Sequence, residues 1–348
     1  MDRPRPASGR RYRTNRPELD ATIAALASEY GGPNADVLNE MLTTAFKLVL
    51  DNAARGDLKM VNAAIKELRY AFRVFAPYRK VRKVSIFGSA RTPPDDPNYK
   101  VAHDFADAIC HRGWMVVTGA GPGIMEAGHL GAGAAHSFGV NIRLPFEDQA
   151  NTVIAEDPKL VNFRYFFTRK VTFLKESDGF VLFPGGFGTM DEAFELLVLV
   201  QTGKSDLHPI VLVEAPGDDY WSSWEEFVRR QLLDRGLISP ADLNLYRIAQ
   251  DADEAVAELE RFYRNYHSER YVSGQLVLRM RRAPDDAALQ ELNEAFADIV
   301  ASGEIRRLGP SPAEIADDDA LDMDRIAFRF NRRSFGRLRV LVDALNDL

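Results

Sequence analysis

Apolar residues in this chain follow two different spacings, and the spacing changes near Lys83. Between residues 17 and 80 they recur at helical intervals in three segments, "ELDATIAALASEY", "NADVLNEMLTTAFKLVLDNAARG" and "LKMVNAAIKELRYAFRVFAP". Gly-Gly-Pro at residues 31–33 and Gly56 separate these segments, as is typical of loops between helices. The pattern predicts a helical N-terminal extension over residues 17–80, in which we find no candidate chemistry.

From Lys83 onward, short β-branched and aromatic runs alternate with amphipathic segments. The runs "KVSIFGSA", "WMVVTGAG", "GFVLFPGG" and "PIVLVE" have the length and composition of buried strands. Alternation of such strands with helices predicts an α/β fold, a Rossmann-like parallel sheet with helices on both faces. We assign this domain to residues 81–268.

The sequence on either side of this domain differs in character. Residues 1–16 are rich in Arg and Pro and lack aliphatic periodicity, which predicts a disordered basic tail. Residues 269–348 predict a small C-terminal α/β unit, with a strand in "GQLVLRM" and a helix in "DDAALQELNEAFADIVASG". Within it, the acidic segment "PSPAEIADDDALD" is predicted to be a loop.

Composition limits the class of protein. Of the 348 residues, 46% are hydrophobic and 27% charged, which are ordinary values for a soluble globular protein. The net charge of −7 disfavours a dedicated nucleic-acid-binding protein, which usually presents a basic face. The single cysteine, Cys110, excludes an intrachain disulfide, and we interpret it as a core residue. Without an apolar run of about 18 residues or a signal-like segment, we expect a cytoplasmic protein that does not bind membranes.

Glycine-rich turns follow three of the predicted strands. They are "FGSAR" at residues 87–91, "TGAGPGIMEAG" at residues 118–128 and "FPGGFGTMDE" at residues 183–192. Ligands of an open parallel sheet bind at the carboxyl ends of its strands. One such turn would suggest only a tight connection from strand to helix, but three on one sheet edge favour an anionic ligand.

The third turn has the features of a phosphate site. A helix N-terminus leaves backbone N–H groups unpaired, and glycine lets that backbone approach an anion closely. The predicted phosphate-binding residues are Gly185, Gly186, Gly188 and Thr189.

Dinucleotide and nucleoside triphosphate sites fit the sequence less well. "GAGPGI" places Ile124 where G-x-G-x-x-G requires its last glycine, and an acid to hold the ribose is missing about 20 residues later. A Gly-Lys-Ser/Thr sequence of the P-loop type is also missing. The six histidines show no metal-ligand spacing. A nucleoside monophosphate without a metal or other cofactor is therefore the favoured ligand.

Two charged residues require a choice between a structural and a functional role. Thr189-x-x-Glu192 matches a helix capping box, in which Glu192 would satisfy a backbone donor, but this carboxylate would also lie close to a bound phosphate ligand. On the segment "NFRYFFTRKVTFLK", an apolar stripe is predicted to be formed by Phe163, Phe167, Val171 and Leu174. Arg169 projects roughly 140° from that stripe, which predicts a surface arginine unless it has a function.

The pair Arg169-Lys170, followed by "PGGFGTMDE" at residues 184–192, resembles the LOG (Lonely Guy) family of nucleotide 5′-monophosphate phosphoribohydrolases. The family pattern is P-G-G-x-G-T-x-x-E after an Arg-Lys pair on a helix. The resemblance extends over about residues 82–215 and includes "GSAR", "GPGIMEA" and "NIRLPFE". It implies a Rossmann-like fold and homodimers or higher homo-oligomers with the pocket near the subunit interface.

The resemblance also implies an activity. Family members hydrolyse the N-glycosidic bond of AMP or cytokinin riboside monophosphates, giving free base and ribose 5-phosphate without a cofactor. Because the extra terminal units resemble the longer bacterial type, AMP is the safer substrate. Proteins of this family often carry a lysine decarboxylase label, for which this sequence gives no independent support. The alternatives are a non-catalytic nucleotide-binding sensor and an NAD(P)-dependent enzyme.

The resemblance also assigns residues. Arg169 and Glu192 correspond to the family's catalytic pair. The residues expected to bind substrate are Gly88, Ser89, Gly121, Glu147, Lys170, Gly185, Gly186, Gly188 and Thr189.

Overall fold

The computed structural model describes residues 12–143 and 150–348. It divides the chain into two compact units, Met1–Arg69 and Tyr70–Leu348. Residues 1–11, which form most of the predicted basic tail, lie outside the described residues. Within the described ranges, we find no helix that is long and apolar enough to cross a lipid bilayer.

The predicted helical extension is confirmed. Its three helices are α1 (Pro17–Tyr30), α2 (Ala35–Leu50) and α3 (Arg55–Phe75). α1 begins with Pro17, which suits the first position of a helix because its missing N–H would be unpaired there anyway. Ile23 and Ala27 of α1 are buried. α3 continues past Arg69, so its C-terminal residues belong to the second unit.

The second unit contains the predicted Rossmann-like sheet. Its strands are β1 (Lys83–Phe87), β2 (Met115–Thr118), β3 (Ser137–Ile142), β4 (Leu160–Phe163), β5 (Gly179–Leu182), β6 (Ile210–Val213) and β7 (Arg247–Ala249). They are hydrogen-bonded in the order β4-β3-β2-β1-β5-β6-β7, and every pairing is parallel. All residues of β1, β2, β5 and β6 are buried, as expected of strands covered on both faces. The predicted fold class is confirmed.

Helices connect these strands and begin at recognisable caps. They are α4 (Pro97–His111), α5 (Ile124–Ala132), α6 (Phe166–Glu176), α7 (Phe187–Gln201), α8 (Tyr220–Phe227) and α9 (Ala252–Phe262). Asp96 precedes α4, and its side chain accepts a hydrogen bond from the backbone N–H of Asn98. Asp251 caps α9 in the same way through the N–H of Glu254. Short polar side chains therefore set where these helices start.

The order of the parallel sheet reverses at β1. This strand lies between β2 and β5, so the chain moves away from β1 in one direction first and in the other direction later. The carboxyl ends of β1 and β5 diverge into separate loops at such a point, and the crevice between the loops is where ligands bind in open α/β sheets. The topology thus selects one edge of the sheet for a site.

A second sheet occupies the C-terminal region. It contains β8 (Tyr266–Val272), β9 (Gln275–Met280), β10 (Val300–Arg307) and β11 (Asp324–Phe330), with helices α10 (Asp286–Ala295), α11 (Pro312–Asp317) and α12 (Phe335–Asn346). Its order is β10-β11-β9-β8 and its pairings are antiparallel. The segment predicted as an acidic loop contains α11, because Ser311 and Glu314 form a capping box that starts a helix there.

Glu314 also joins a buried ion network. Its carboxylate accepts hydrogen bonds from Nε of Arg279 at 2.9 Å and from Nε of Arg325 at 3.2 Å, and all three side chains are buried. Burial acts to raise the pKa of Glu314, but hydrogen bonds from Ser311, Arg279 and Arg325 outweigh it and lower the pKa to about 2. The carboxylate is therefore ionised at neutral pH and compensates two buried guanidinium groups.

Glu314→Ala should destabilise the protein by about 3–5 kcal/mol, because it removes the carboxylate that pairs with buried Arg325 and leaves buried Arg279 with Asp319 alone. Chemical unfolding in urea, followed by circular dichroism, measures the loss. The control is Asp317→Ala, whose exposed side chain pairs with Arg270 at the surface and should cost at most about 1 kcal/mol. Equal effects of the two substitutions would contradict this account.

Candidate active site

A cavity of about 1000 Å³ opens at the carboxyl ends of β1 and β5. The three glycine-rich turns predicted from the sequence all line it, together with residues of α6 and α7. Phe87, Met125, Ile142 and Phe166 contribute apolar surface to the same cavity. It is large enough for a nucleotide-sized ligand, with apolar walls and a small number of polar groups.

Hydrogen bonds and close packing hold the three turns together. The N–H of Ser89 donates to the carbonyl of Pro184 at 3.1 Å, and the N–H of Ile124 donates to the carbonyl of Ser89 at 3.1 Å. A Cβ atom at Gly185 would lie 2.1 Å from Oγ1 of Thr189, so only glycine fits there. Tyr220 donates its hydroxyl hydrogen to the carbonyl of Gly185. The turns therefore form one braced assembly.

A buried polar network supports the second turn from behind. Ala120 has a φ of +63°, an unfavourable conformation for a residue with a side chain. Its N–H donates to Oγ1 of Thr118, and Nδ2 of Asn151 donates to the carbonyls of Ala120 and Gly121. Buried His129 contacts both Thr118 and Asn151. His129 therefore has a structural role.

The helix α7 begins earlier than a capping box would require. Gly186 is its N-cap and Phe187 its first residue, so Thr189 lies in the third helical position and Glu192 about one turn further on. The alternative in which Thr189 caps the helix with Glu192 is therefore wrong. Both side chains line the cavity. The amide groups of the first turn of α7 are oriented to bind an anion there.

Arg169 is held inside the site and does not lie on the surface. Its Nε donates to the carbonyl of Val140 at 2.9 Å, and its guanidinium lies over the ring of Phe173 at 5.3 Å. A Cβ atom at Gly119 would lie 2.4 Å from Nη2 of Arg169, so the absence of a side chain at Gly119 makes room for the guanidinium. The pKa of Arg169 is lowered overall, because the effect of burial outweighs that of the nearby Glu192, which acts to raise it.

The predicted apolar stripe on α6 is wrong. Phe163 belongs to β4, and Phe167 and Val171 are about half exposed. The buried face of α6 instead carries Thr168, Thr172, Phe173 and Glu176. Hydrophobicity misidentified the inner face. Thr168 and Thr172 can be buried there because their hydroxyls donate to the helix carbonyls of Tyr165 and Thr168.

Glu192 is a buried carboxyl group in a mixed electrostatic environment. Burial raises its pKa to about 7, which Lys170 and Arg169 act to lower and Glu195 and Asp191 act to raise. A group with this pKa can both accept and return a proton near neutral pH. Carboxylates perturbed by desolvation and a specific cation in a cleft are candidates for catalysis.

Lys170 is placed among acidic side chains of α7. Its Nζ lies 2.8 Å from Asp191, 2.7 Å from Glu195 and 4.0 Å from Glu192. Burial acts to lower the pKa of Lys170, but hydrogen bonds to Asp191 and Glu195 raise it overall. Lys170 therefore acts on Glu192 through its charge, and it is not among the residues that line the cavity.

The structure brings together most of the residues selected from the sequence. Those that line the cavity are Gly88, Ser89, Gly121, Arg169, Gly185, Gly186, Gly188, Thr189 and Glu192. Glu147 lies outside the described residues. The sequence analysis missed Tyr220 and Arg91, which also line the cavity. Tyr220 lies 35 residues after Gly185, the residue of the third turn that it contacts, so no local pattern could connect them.

Among residues 12–143 and 150–348, we find no group of three or more His, Cys, Asp or Glu side chains placed to hold a metal ion.

Comparison with known proteins gives partial matches. Residues 120–259, less than half of the chain, match the family described as "Possible lysine decarboxylase". The cytokinin riboside 5′-monophosphate phosphoribohydrolases LOG1 and LOG3 of Arabidopsis thaliana are 35% and 34% identical over 92 and 94 residues. These matches cover 26% and 27% of this chain, and 41% and 42% of the relatives, so the chain spans less than half of their length. The resemblance to the LOG family is confirmed over this part of the chain.

Two solved structures have a similar arrangement at low identity. The molybdenum cofactor binding protein from Rippkaea orientalis is 22% identical with a TM-score of 0.38, covering 51% of this chain and 94% of that protein. The Moco carrier protein from Chlamydomonas reinhardtii is 20% identical with a TM-score of 0.37, covering 52% of this chain and 96% of that protein. Similarity at this level gives no information about function.

Glu192→Gln should stabilise the protein at pH 8 but not at pH 4. Burial raises the pKa of Glu192 in the folded protein from 4.5 to about 7. The folded protein therefore loses stability as pH rises from about 4.5 through about 7, because it has to ionise a buried carboxyl group that ionises more easily in the unfolded chain. The neutral amide avoids this loss, a gain of up to about 3 kcal/mol at pH 8. Urea unfolding at both pH values measures it.

The control for this measurement is Glu226→Gln, which changes an exposed surface glutamate of α8. Its effect should be small and nearly the same at pH 4 and pH 8. A gain for Glu192→Gln that does not depend on pH would show that burial does not perturb this carboxyl group.

Proposed function

We propose that this chain, whose residues 120–259 are related to the LOG family, hydrolyses the N-glycosidic bond of purine nucleoside 5′-monophosphates. AMP is the substrate we favour, with cytokinin riboside monophosphates as further candidates, and the products are free base and ribose 5-phosphate. One observation supports this most directly. A desolvated carboxylate, Glu192, and a glycine-rich helix N-terminus line the same cavity.

The phosphate would bind at the start of α7. Gly186 and Gly188 leave open space around the backbone, since a Cβ atom at either position would have no neighbour within 4 Å. The amides of the first helical turn and the hydroxyl of Thr189 would donate hydrogen bonds to the phosphate oxygens. Ser89 lies beside this turn through its hydrogen bond to Pro184. This arrangement would fix one end of the nucleotide.

The scissile bond would then lie one helical turn away, near Glu192. As the bond between C1′ and the base nitrogen breaks, positive charge develops on C1′ and on the ring oxygen, as in other glycoside hydrolyses. Glu192 would stabilise this charge and remove a proton from the attacking water. The water oxygen forms the new bond to C1′. The base leaves with the bonding electron pair and gains a proton, so one water is consumed.

Arg169 would stabilise the negative charge that develops on the reacting nucleotide. Its hydrogen bond to the carbonyl of Val140 and its contact with Phe173 fix the guanidinium before substrate arrives. A preorganised donor of this kind stabilises a developing anion without reorganising during the reaction. The apolar cavity walls formed by Met125 and Phe166 offer surface for a purine ring.

A homo-oligomer would protect the apolar surface beside the cavity. Phe187 is 97% exposed at the start of α7, and Phe166 and Phe167 of α6 are about half exposed. Val171 and Val198 extend this exposed surface along the two helices. Exposed aromatic and aliphatic side chains close to one another are typical of interfaces. We propose that a second copy of the chain covers them.

Purified protein should release adenine from AMP, and much less from adenosine, because adenosine lacks the phosphate that positions the scissile bond. Chromatography of bases after incubation with a panel of nucleoside monophosphates measures this.

Glu192→Gln and Arg169→Ala should each lower the turnover rate by about 10²-fold or more. For the wild type, kcat/KM should rise as pH passes about 7, because Glu192 must be ionised to act as a base.

The control for turnover is binding of AMP, measured by calorimetry on the same proteins. AMP that binds but releases no adenine would contradict a hydrolase and support a sensor of nucleotides. Full turnover by Glu192→Gln would leave the cavity as the site but remove this residue from the mechanism.

Gly119→Ala should retain the fold and lose activity. The new methyl group would lie 2.4 Å from Nη2 of Arg169 and 2.7 Å from Sδ of Met125, and both are flexible side-chain ends that can move. A displaced guanidinium should lower kcat/KM by about 10- to 100-fold. The matched variant is Gly121→Ala, whose methyl group would meet Met125 but not Arg169. Equal losses in the two variants would contradict a role for the position of Arg169.

A further inference from the structure

Tyr220, the first residue of α8, lines the cavity but is not free to bind a phosphate directly. A tyrosine hydroxyl carries a single proton, and here that proton is donated to the carbonyl of Gly185. Burial raises the pKa of Tyr220, so the hydroxyl stays protonated at neutral pH. The oxygens of a phosphate dianion accept hydrogen bonds, and the hydroxyl has no second proton to offer them. Any effect of Tyr220 on a phosphate therefore acts through Gly185.

The hydrogen bond from Tyr220 fixes the direction of an amide group in the third turn. Every peptide bond among the residues that the structure describes is trans, and in a trans peptide the C=O and N–H point in opposite directions. The carbonyl of Gly185 and the N–H of Gly186 belong to the same peptide. Because Tyr220 holds that carbonyl, the N–H of Gly186 is directed away from Tyr220.

The amides that follow are those available to a ligand. The first helical hydrogen bond of α7 runs from the N–H of Met190 to the carbonyl of Gly186. The N–H groups from Gly186 to Thr189 precede it and therefore have no acceptor within the helix. Their directions depend on how the peptide between Gly185 and Gly186 is oriented, because this peptide begins the helix.

This peptide needs a constraint from outside the turn. It lies between two glycines, which restrict backbone rotation less than any other residue. A Cβ atom at Gly186 would have no neighbour within 4 Å, so close packing does not hold the backbone on that side. The preceding carbonyl, of Pro184, is held by the N–H of Ser89. The hydroxyl of Tyr220 provides the corresponding hydrogen bond for Gly185.

Tyr220 is itself fixed before any ligand binds. Its N–H donates to Oδ1 of Asp218 at 3.2 Å, and Nδ2 of Asn98 donates to Oδ2 of Asp218 at 2.7 Å. Oδ1 of Asn98 accepts from the N–H of Ala215 at 2.8 Å, which ties the loop before α8 to α4. The ring of Tyr220 packs edge-on against buried Trp221 at a centroid distance of 4.9 Å.

We propose that Tyr220 is a positioning residue for the phosphate site. It holds the Gly185–Gly186 peptide, and with it the amides of the first turn of α7, in the orientation that binds the phosphate, without touching the phosphate. This inference rests on the phosphate site of the proposed function. It gives the loop between β6 and α8 a part in distinguishing phosphorylated from unphosphorylated nucleosides.

Tyr220→Phe removes only the hydroxyl and tests this role. The Kd for AMP, measured by calorimetry, should rise about 3- to 10-fold, as expected for the loss of one hydrogen bond. The ratio of kcat/KM for AMP to kcat/KM for adenosine should fall by a similar factor, because adenosine has no phosphate. The fall should appear in KM for AMP and leave kcat nearly unchanged.

The matched control is Tyr263→Phe, which removes the same kind of hydrogen bond at the opposite edge of the sheet. The hydroxyl of Tyr263 donates at 2.6 Å to the carbonyl of Asp178, the residue before β5. This variant should keep the wild-type Kd and the wild-type ratio, and circular dichroism checks that both variants are folded. An unchanged Kd in Tyr220→Phe, or an equal rise in Tyr263→Phe, would overturn the proposal. So would equal losses with AMP and adenosine, which indicate a purely structural role.

The two measurements separate this inference from the proposed reaction. A wild-type protein that binds AMP but releases no adenine would contradict the hydrolase, and the calorimetric comparison of the two variants would still decide the role of Tyr220. A wild-type protein that does not bind AMP would overturn both the phosphate site and this role.

Discussion

The parallel pairing of β1 with β5 is the interaction on which the site depends. These strands are distant in sequence but register Val84 against Gly179 and Phe87 against Leu182. The residues that follow the two strands are therefore close together, and the N–H of Ser89 donates a hydrogen bond to the carbonyl of Pro184. The reversal of strand order at β1 opens the space beyond them. Without this pairing, the glycine-rich turns would be unconnected loops.

Glycine and charge have complementary roles around this crevice. Gly185 and Gly119 remove side chains where Thr189 and Arg169 need to approach, so the backbone and the guanidinium reach positions that any other residue would block. Burial then changes the chemistry of the carboxyl group of Glu192, whose pKa rises to about 7. Packing around Glu192 leaves this carboxyl group poorly solvated, which disfavours its charged form.

Large apolar residues are exposed on more than one part of the described chain. The exposed residues fall into separate groups, one beside the cavity on α6 and α7 and one on the N-terminal helices. The group beside the cavity is the one that we propose a second copy of the chain covers, and the proposed chemistry lies in the parallel-sheet domain.

The sequence by itself determined the fold class and the glycine-rich turns, because strand and helix spacing and the local need for glycine are short-range properties. It also selected Arg169 and Glu192, through a resemblance confined to one part of the chain. Only the tertiary structure decided their surroundings. It excluded the capping box by starting α7 at Phe187, and it brought Tyr220 to Gly185. It also exposed Phe167, because which face of a helix is buried depends on distant elements that local periodicity does not encode.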